Sequence, residues 1–172
     1  MEALVQLQEE GVVQHIGVAG GPIDLERRYV GLGVFDAVIS HNRYTLVDQS
    51  AGPLLDDAVA RGVAFINAAP YGGGMLVRGP DAVPTYCYQP ASDETLSRVR
   101  RMQTACAAKG VPLAAAALQF SLRDERVTST IVGMSTPERV DQTVELAEWP
   151  IDDDLWSELL ELAAPGRDGV GL

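Results

Sequence analysis

Along the chain, apolar residues alternate between a helical spacing and short β-branched runs, and this alternation predicts the elements. Residues 2–10 show helical spacing and stop at Gly11, a residue suited to the left-handed turn after a helix. "VVQHIGVA" (12–19) predicts a strand that runs into Gly20-Gly21-Pro22. "IDLERRYVGL" (23–32) predicts a short helix, and "FDAVIS" (35–40) the next strand. "AGPLLDDAVARG" (51–62) has proline in its first turn and glycine at its end, both helix punctuation. "VAFINA" (63–68) is a third strand, followed by a long Gly/Pro/Tyr loop, residues 69–91. Ser92 then caps "DETLSRVRRMQTACAAKG", and Pro112 opens "PLAAAALQFSL". "TSTIV" (128–132) is the fourth strand, and helices over 137–147 and about 153–163 follow.

Strands that read apolar throughout, alternating with helices, predict a parallel α/β sheet, here of four strands near 13–18, 35–40, 63–67 and 128–132, each buried on both faces. The length of 172 residues fits one domain. An open doubly wound sheet suits four units. So does half of a (β/α)8 barrel, a whole one needing about 250 residues.

Composition narrows the partners. With 47 % apolar residues the chain can build a core, and its net charge of −11 argues against nucleic acid and anionic membrane as partners. No run approaches the roughly 20 apolar residues of a membrane span. "MEALVQLQEEGVV" lacks a basic n-region and a cleavage site, so it does not read as a signal peptide. Cys87 and Cys106 lack metal-ligand spacing and read as reduced thiols rather than a disulfide, which with the missing leader gives a cytoplasmic reading. No metal site is predicted: His15 lies inside the first strand as a structural residue, and His41 stands alone past the second.

The candidate chemistry lies where strands end, because ligands of parallel α/β folds sit at strand C-termini. In "STIVGMSTPERVDQT" (129–143), Gly133 brings backbone close to a ligand, Thr136 can cap a helix that Pro137 opens, and Ser135 with Glu138 fits a capping box. The free N–H groups of such a helix start bind anions, and Arg139 lies one turn in. A plain capped turn with a solvated arginine fits the same spacing. "NAAPYGGGML" (67–76) places three glycines after the third strand; a flexible surface loop is its plain reading, against which stand Pro70, Tyr71, Met75 and Leu76. His41 is positioned for a general base or for a loop hydrogen bond. Trp149 and Trp156 flank the last helix as packing residues.

The ordered set "EEGVVQHIGVAGGP", "RYTLVDQSAGPLLDDAVARGV", "NAAPYGGGML", "GVPLAAAALQFSLRDERVTSTIVGMSTPERVDQTVE" and "PIDDDLWSELLEL" resembles the C-terminal half of an aldo-keto reductase, nearest the L-fucose, L-galactose and D-threo-aldose dehydrogenases. The resemblance implies the last four β/α units of a (β/α)8 TIM barrel, four parallel strands with flanking helices, over residues 1–172. It implies NAD or NADP as cofactor and a small sugar or aldehyde as substrate. By position, Val132, Gly133, Met134 and Ser135 would line the adenosine phosphate, with Arg139, Gln142 and Thr143 around the 2′ position and adenine. Pro70, Tyr71, Gly72, Gly74 and Leu76 would wrap the pyrophosphate.

Three departures stand out. Gly133 replaces a lysine common in NADP-specific members, Ala19-Gly20 replaces the Ser-Asn pair that grips the carboxamide, and Ala68 replaces the aromatic that stacks on nicotinamide. The family's catalytic Asp, Tyr, Lys and His belong to its N-terminal half, so the resemblance places no catalytic residue here. Lys109, the one lysine, precedes Gly110 at a helix end and does not substitute. The resemblance thus implies a cofactor-binding half that is inactive alone. The alternative is a non-catalytic half-barrel binding or assembly module, and its open sheet edges would favour self-association.

Overall fold

The computed structural model describes residues 1–163. Its centre is a four-stranded parallel sheet, β1 (Gly17–Ala19), β2 (Ala37–His41), β3 (Ala64–Ala68) and β6 (Ser129–Ile131), in the order β1-β2-β3-β6. Sequential order without a reversal point is the arrangement of a part-barrel and excludes the doubly wound alternative. The register runs Val38 opposite Phe65, Ser40 opposite Asn67, and Ala68 opposite Ile131.

Alternation of side chains divides the sheet into two faces. Val38 and Phe65 point to the core, where they meet Leu54, Leu55 and Ala58 of α3 (Gly52–Arg61). The same core takes Val99 and Met102 of α5 (Asp93–Ala108), Phe120 of α6 (Leu113–Leu122), and Leu155 and Leu159 of α8 (Asp153–Leu162). The other face carries Gly17, Ala19, Ala37, Ile39, His41, Ala64, Ile66, Ala68, Ser129 and Ile131. None of these is buried, and Ile131 is 46 % exposed. The expectation of strands buried on both faces is therefore corrected: helices cover one face only, and the apolar runs serve a second face that stays open.

The first strand is also shorter than its sequence suggests. The N–H groups of Val12 and Val13 both donate to the Leu7 carbonyl of α1 (Glu2–Glu9), so this stretch closes the helix instead of joining the sheet. His15 thereby lies outside β1, its side chain 78 % exposed, with Nδ1 3.6 Å from Asp36, and is not the interior strand residue expected. The long connection after β3 is not one irregular loop either. It holds a 3-10 turn (Gly72–Gly74), α4 (Met75–Arg78), and a hairpin of β4 (Thr85–Tyr86) and β5 (Gln89–Pro90). Met75 and Leu76 are fully buried, which removes the flexible-loop reading.

Candidate functional site

Because β3 and β6 are parallel neighbours with Ala68 opposite Ile131, the segments that leave them start side by side at one end of the sheet. One is the turn 132–136, which leads into α7 (Pro137–Glu148). Thr136 occupies the cap position, but its hydroxyl accepts no N–H of the helix, so the cap expected from the sequence is positional only. The capping box with Ser135 does not carry the end. Glu138 is held below the usual carboxylate range by its own backbone N–H and then by the Thr136 hydroxyl. Gly133, Met134, Ser135, Arg139 and Gln142 are exposed and Val132 half-buried. Half-buried Thr143 donates its hydroxyl to the Arg139 carbonyl at 2.7 Å. A side chain at Gly133 would meet no protein atom within 4 Å, and among the described residues Arg139 pairs with no carboxylate. Open backbone, helix N–H groups and a disengaged guanidinium together fit a phosphate.

The other is the 69–76 segment. Pro70 and Gly72 are buried, Tyr71 and Gly74 half-buried, and Leu76 fully buried. Ala69 has φ +57°, and the three glycines have φ +57°, +67° and +98°. The Tyr71 hydroxyl is buried with no hydrogen-bond partner, and burial pushes its pKa up.

Sequence reasoning overlooked a third component at this end. The 85–90 hairpin folds over the exit of β2: the Tyr86 hydroxyl donates to the Asn42 carbonyl, and the Tyr88 ring lies 6.3 Å from His41. Asn42, Cys87 and Tyr88 all take positive φ. For Cys87 and Tyr88, the two central residues of the hairpin, positive φ is the ordinary geometry of the turn; Asn42 and Ala69 are the strained non-glycine residues at the strand exits. The signal was the pair of tyrosines at 86 and 88 in a segment read as loop.

Burial, then Asp124, pushes Tyr44 up to about 12, and burial pushes Tyr86 well above its ordinary value. Tyr44 donates to Asp124, which Arg126 grips and holds down to about 2; Arg126 also reaches Asp56. These groups line a cleft of about 460 Å³ with Phe120 and Trp156, near the entry of β6 rather than the strand exits. Lys109 pairs with Asp152 at 3.1 Å. Cys106 is buried, Cys87 half-buried, and both are free thiols. Trp156 is in the core and Trp149 37 % exposed. Among the described residues no group of His, Cys, Asp and Glu could hold a metal, and no single helix is long and apolar enough to cross a membrane.

A family model described as the Aldo/keto reductase family matches residues 1–164. The D-threo-aldose 1-dehydrogenase of Pseudomonas sp is 35 % identical over 161 residues, which cover 92 % of this chain and 49 % of that protein. The pyridoxal 4-dehydrogenase of Microbacterium luteolum is 32 % identical, covering 91 % and 46 %. The L-galactose dehydrogenase of Arabidopsis thaliana is 32 % identical, covering 96 % and 53 %. The chain thus spans about half the length of the curated relatives it matches. Among solved structures, the holo form of aldo-keto reductase AKR11C1 from Bacillus halodurans superposes with a TM-score of 0.76 at 21 % identity, over 95 % of this chain and 55 % of that one.

Proposed function

The chain belongs to the aldo/keto reductase family, and from that premise we propose that it is the dinucleotide-binding part of an NAD(P)-dependent sugar dehydrogenase. The observation that carries the reading is the adjacency of two backbone-rich turns, 132–136 and 70–76, at the exits of β3 and β6. The turn before α7 holds the adenosine phosphate on Gly133, Met134 and Ser135. Arg139, Gln142 and Thr143 flank the 2′ position and adenine, and Pro70, Tyr71, Gly72, Gly74 and Leu76 bracket the pyrophosphate. When bound, the nicotinamide supplies a hydride acceptor for a carbinol C–H. The chain's own residues bind and orient; among the described residues none is assigned as the base for the carbinol proton. Burial pushes Tyr71 and Tyr86, at the strand exits, up and away from a neutral base, and the lone lysine is paired with Asp152. General base catalysis is typically worth 10²–10⁴-fold, so the purified chain is expected to bind cofactor without turning over sugar. The setting proposed is cytoplasmic.

Titration with NAD and NADP tests the binding half. Arg139→Ala should weaken NADP more than NAD, by about 1–3 kcal/mol for a lost charge-assisted bond. An equal loss for both would remove Arg139 from the 2′ position. Absorbance of NADH with L-galactose and L-fucose tests the chemical half. Turnover that vanishes in His41→Ala would make His41 the base and overturn the reading. The non-catalytic assembly module is favoured by one observation of its own, the uncharged open face of the sheet.

A further inference from the structure

The α2 helix (Ile23–Val30) presents the stripe Ile23, Glu26 and Val30 inward, so a carboxylate occupies the middle of an apolar seam while Leu25 is 37 % exposed. Glu26 is fully buried, and no hydrogen bond of good geometry reaches either carboxyl oxygen; the Ser40 hydroxyl and the Gly20 amide lie close enough only to favour its charge in part. Its surroundings are built around it. Gly20, just past β1, leaves the space the side chain fills: a Cβ there would lie 2.7 Å from Glu26 Cγ and 3.2 Å from Oε1. The Ser40 hydroxyl of β2 is buried beside it, the nearest side-chain donor to the carboxyl. An ionised carboxylate in such a seat is costly unless paired, whereas the neutral acid is tolerated.

We propose that Glu26 is a proton-operated clamp, which fastens α2 to the exits of β1 and β2 as the neutral acid and loosens it on ionisation. Desolvation pushes its carboxyl up to about 7 from an ordinary 4.5; the nearby Ser40 hydroxyl, the Gly20 amide and the Arg43 charge temper the rise. β1 has no titratable residue, and His41 of β2 alternates to the open face. On α3, Asp57 accepts from Arg27 at 2.7 Å, Asp56 accepts from Arg126 at 2.6 Å, and Arg61 is exposed. Arg43, 8 % exposed on the segment leaving β2, is the cation that attracts the carboxyl. The folded state holds one extra proton between the two values, so stability conferred by the neutral acid is complete below about 4.5 and lost as pH rises through about 7. The released proton goes to solvent, and the charge left behind must turn toward Arg43 or leave the seam. This inference stands apart from the cofactor reading.

Hydrogen exchange of the 172-residue chain tests it. Protection factors of the α2 amides, corrected for intrinsic exchange, should fall about tenfold from pH 6 to pH 8, while those of α5 hold. Glu26→Gln, which keeps the shape without the titration, should make α2 protection independent of pH. Unchanged α2 protection in the wild type, or the same fall in Glu26→Gln, would overturn the clamp. Should that variant not fold, the carboxyl carbon resonance of Glu26 in the wild type decides: a midpoint near 7 supports the clamp, and one near 4.5 refutes it.

Discussion

A single carboxyl determines what can stand at position 20. Seated against Gly20, the Glu26 side chain leaves no volume there for a Cβ, which accounts for a glycine where the family resemblance leads one to look for asparagine. Gly20→Ala should therefore destabilise the fold by about 1–3 kcal/mol, the usual cost of overpacking. Pairing it with Glu26→Ala should recover part of that loss, because the two changes share one space. Urea melts of the two single variants and the double variant measure the coupling, and strict additivity would contradict the shared seat. Asp124 offers a prediction of opposite sign. Gripped by Arg126 and held down to about 2 from 3.8, it stabilises the fold fully above about 4, and that contribution fades as pH falls through about 2. Its side chain is 15 % exposed, so Asp124→Asn should cost about 1–3 kcal/mol at pH 7, by the scale of 1.36 kcal/mol per pKa unit. The deficit should shrink in melts repeated between pH 4 and pH 2.

At the scale of elements, the segment after β3 shows what sequence patterns reveal and what they conceal. β2 and β3 were legible because their β-branched runs lie within one strand each, and α3 and α5 because proline, serine and glycine mark their ends. The start of β1 was misread because Val12 and Val13 are apolar for reasons of helix closure, which periodicity cannot separate from pairing. The hairpin at 85–90 was missed because its two-residue strands are too short for a period, and it is fixed by distant contacts, Tyr86 with Thr45 and Asn42. Glu26 was legible in principle as a charge on the seam Ile23–Val30, yet only packing shows that the seam closes over it. Of the candidate site, the two turns were readable from glycine spacing, whereas the strained exits at Asn42 and Ala69 were not, since nothing local to either residue demands positive φ. The same segment yields a test. Gly72 and Gly73 have similar φ, but a Cβ at Gly72 would lie 2.7 Å from the Tyr86 ring, and one at Gly73 meets nothing within 4 Å. Gly73→Ala should cost about 1 kcal/mol from backbone strain alone. Gly72→Ala should cost about 1–3 kcal/mol more and displace the hairpin. Equal losses in thermal melts would mean that the turn and the hairpin are not packed as one unit.

For the whole molecule, the open face is the dominant fact. None of its ten side chains is an acid, a lysine or an arginine, in a chain where such residues make up 22 %. Large residues, Ile39, Ile66 and Ile131, alternate there with glycine and alanine, the mixture that fills the interior of a parallel barrel. Among the described residues, β1 and β6 at the two edges each pair on one side only, and unpaired strand edges seek partners. Covering such a face removes apolar area from water at roughly 25 cal/mol per Å². Opposing this, each copy carries a net charge of −11, and that repulsion is screened once the Debye length drops below about 10 Å. The isolated chain should therefore self-associate, and more strongly as salt is raised. Light scattering should give a mass above the 18.4 kDa of one chain, growing from 0.05 to 0.5 M salt. Ile131→Lys, which puts a charge on an exposed position of the face and edge, should shift the population toward single chains without lowering the melting temperature of the core. A mass of one chain at every salt concentration would mean that the face and edges are tolerated in water, and the case for a partner across the open sheet would fail with it.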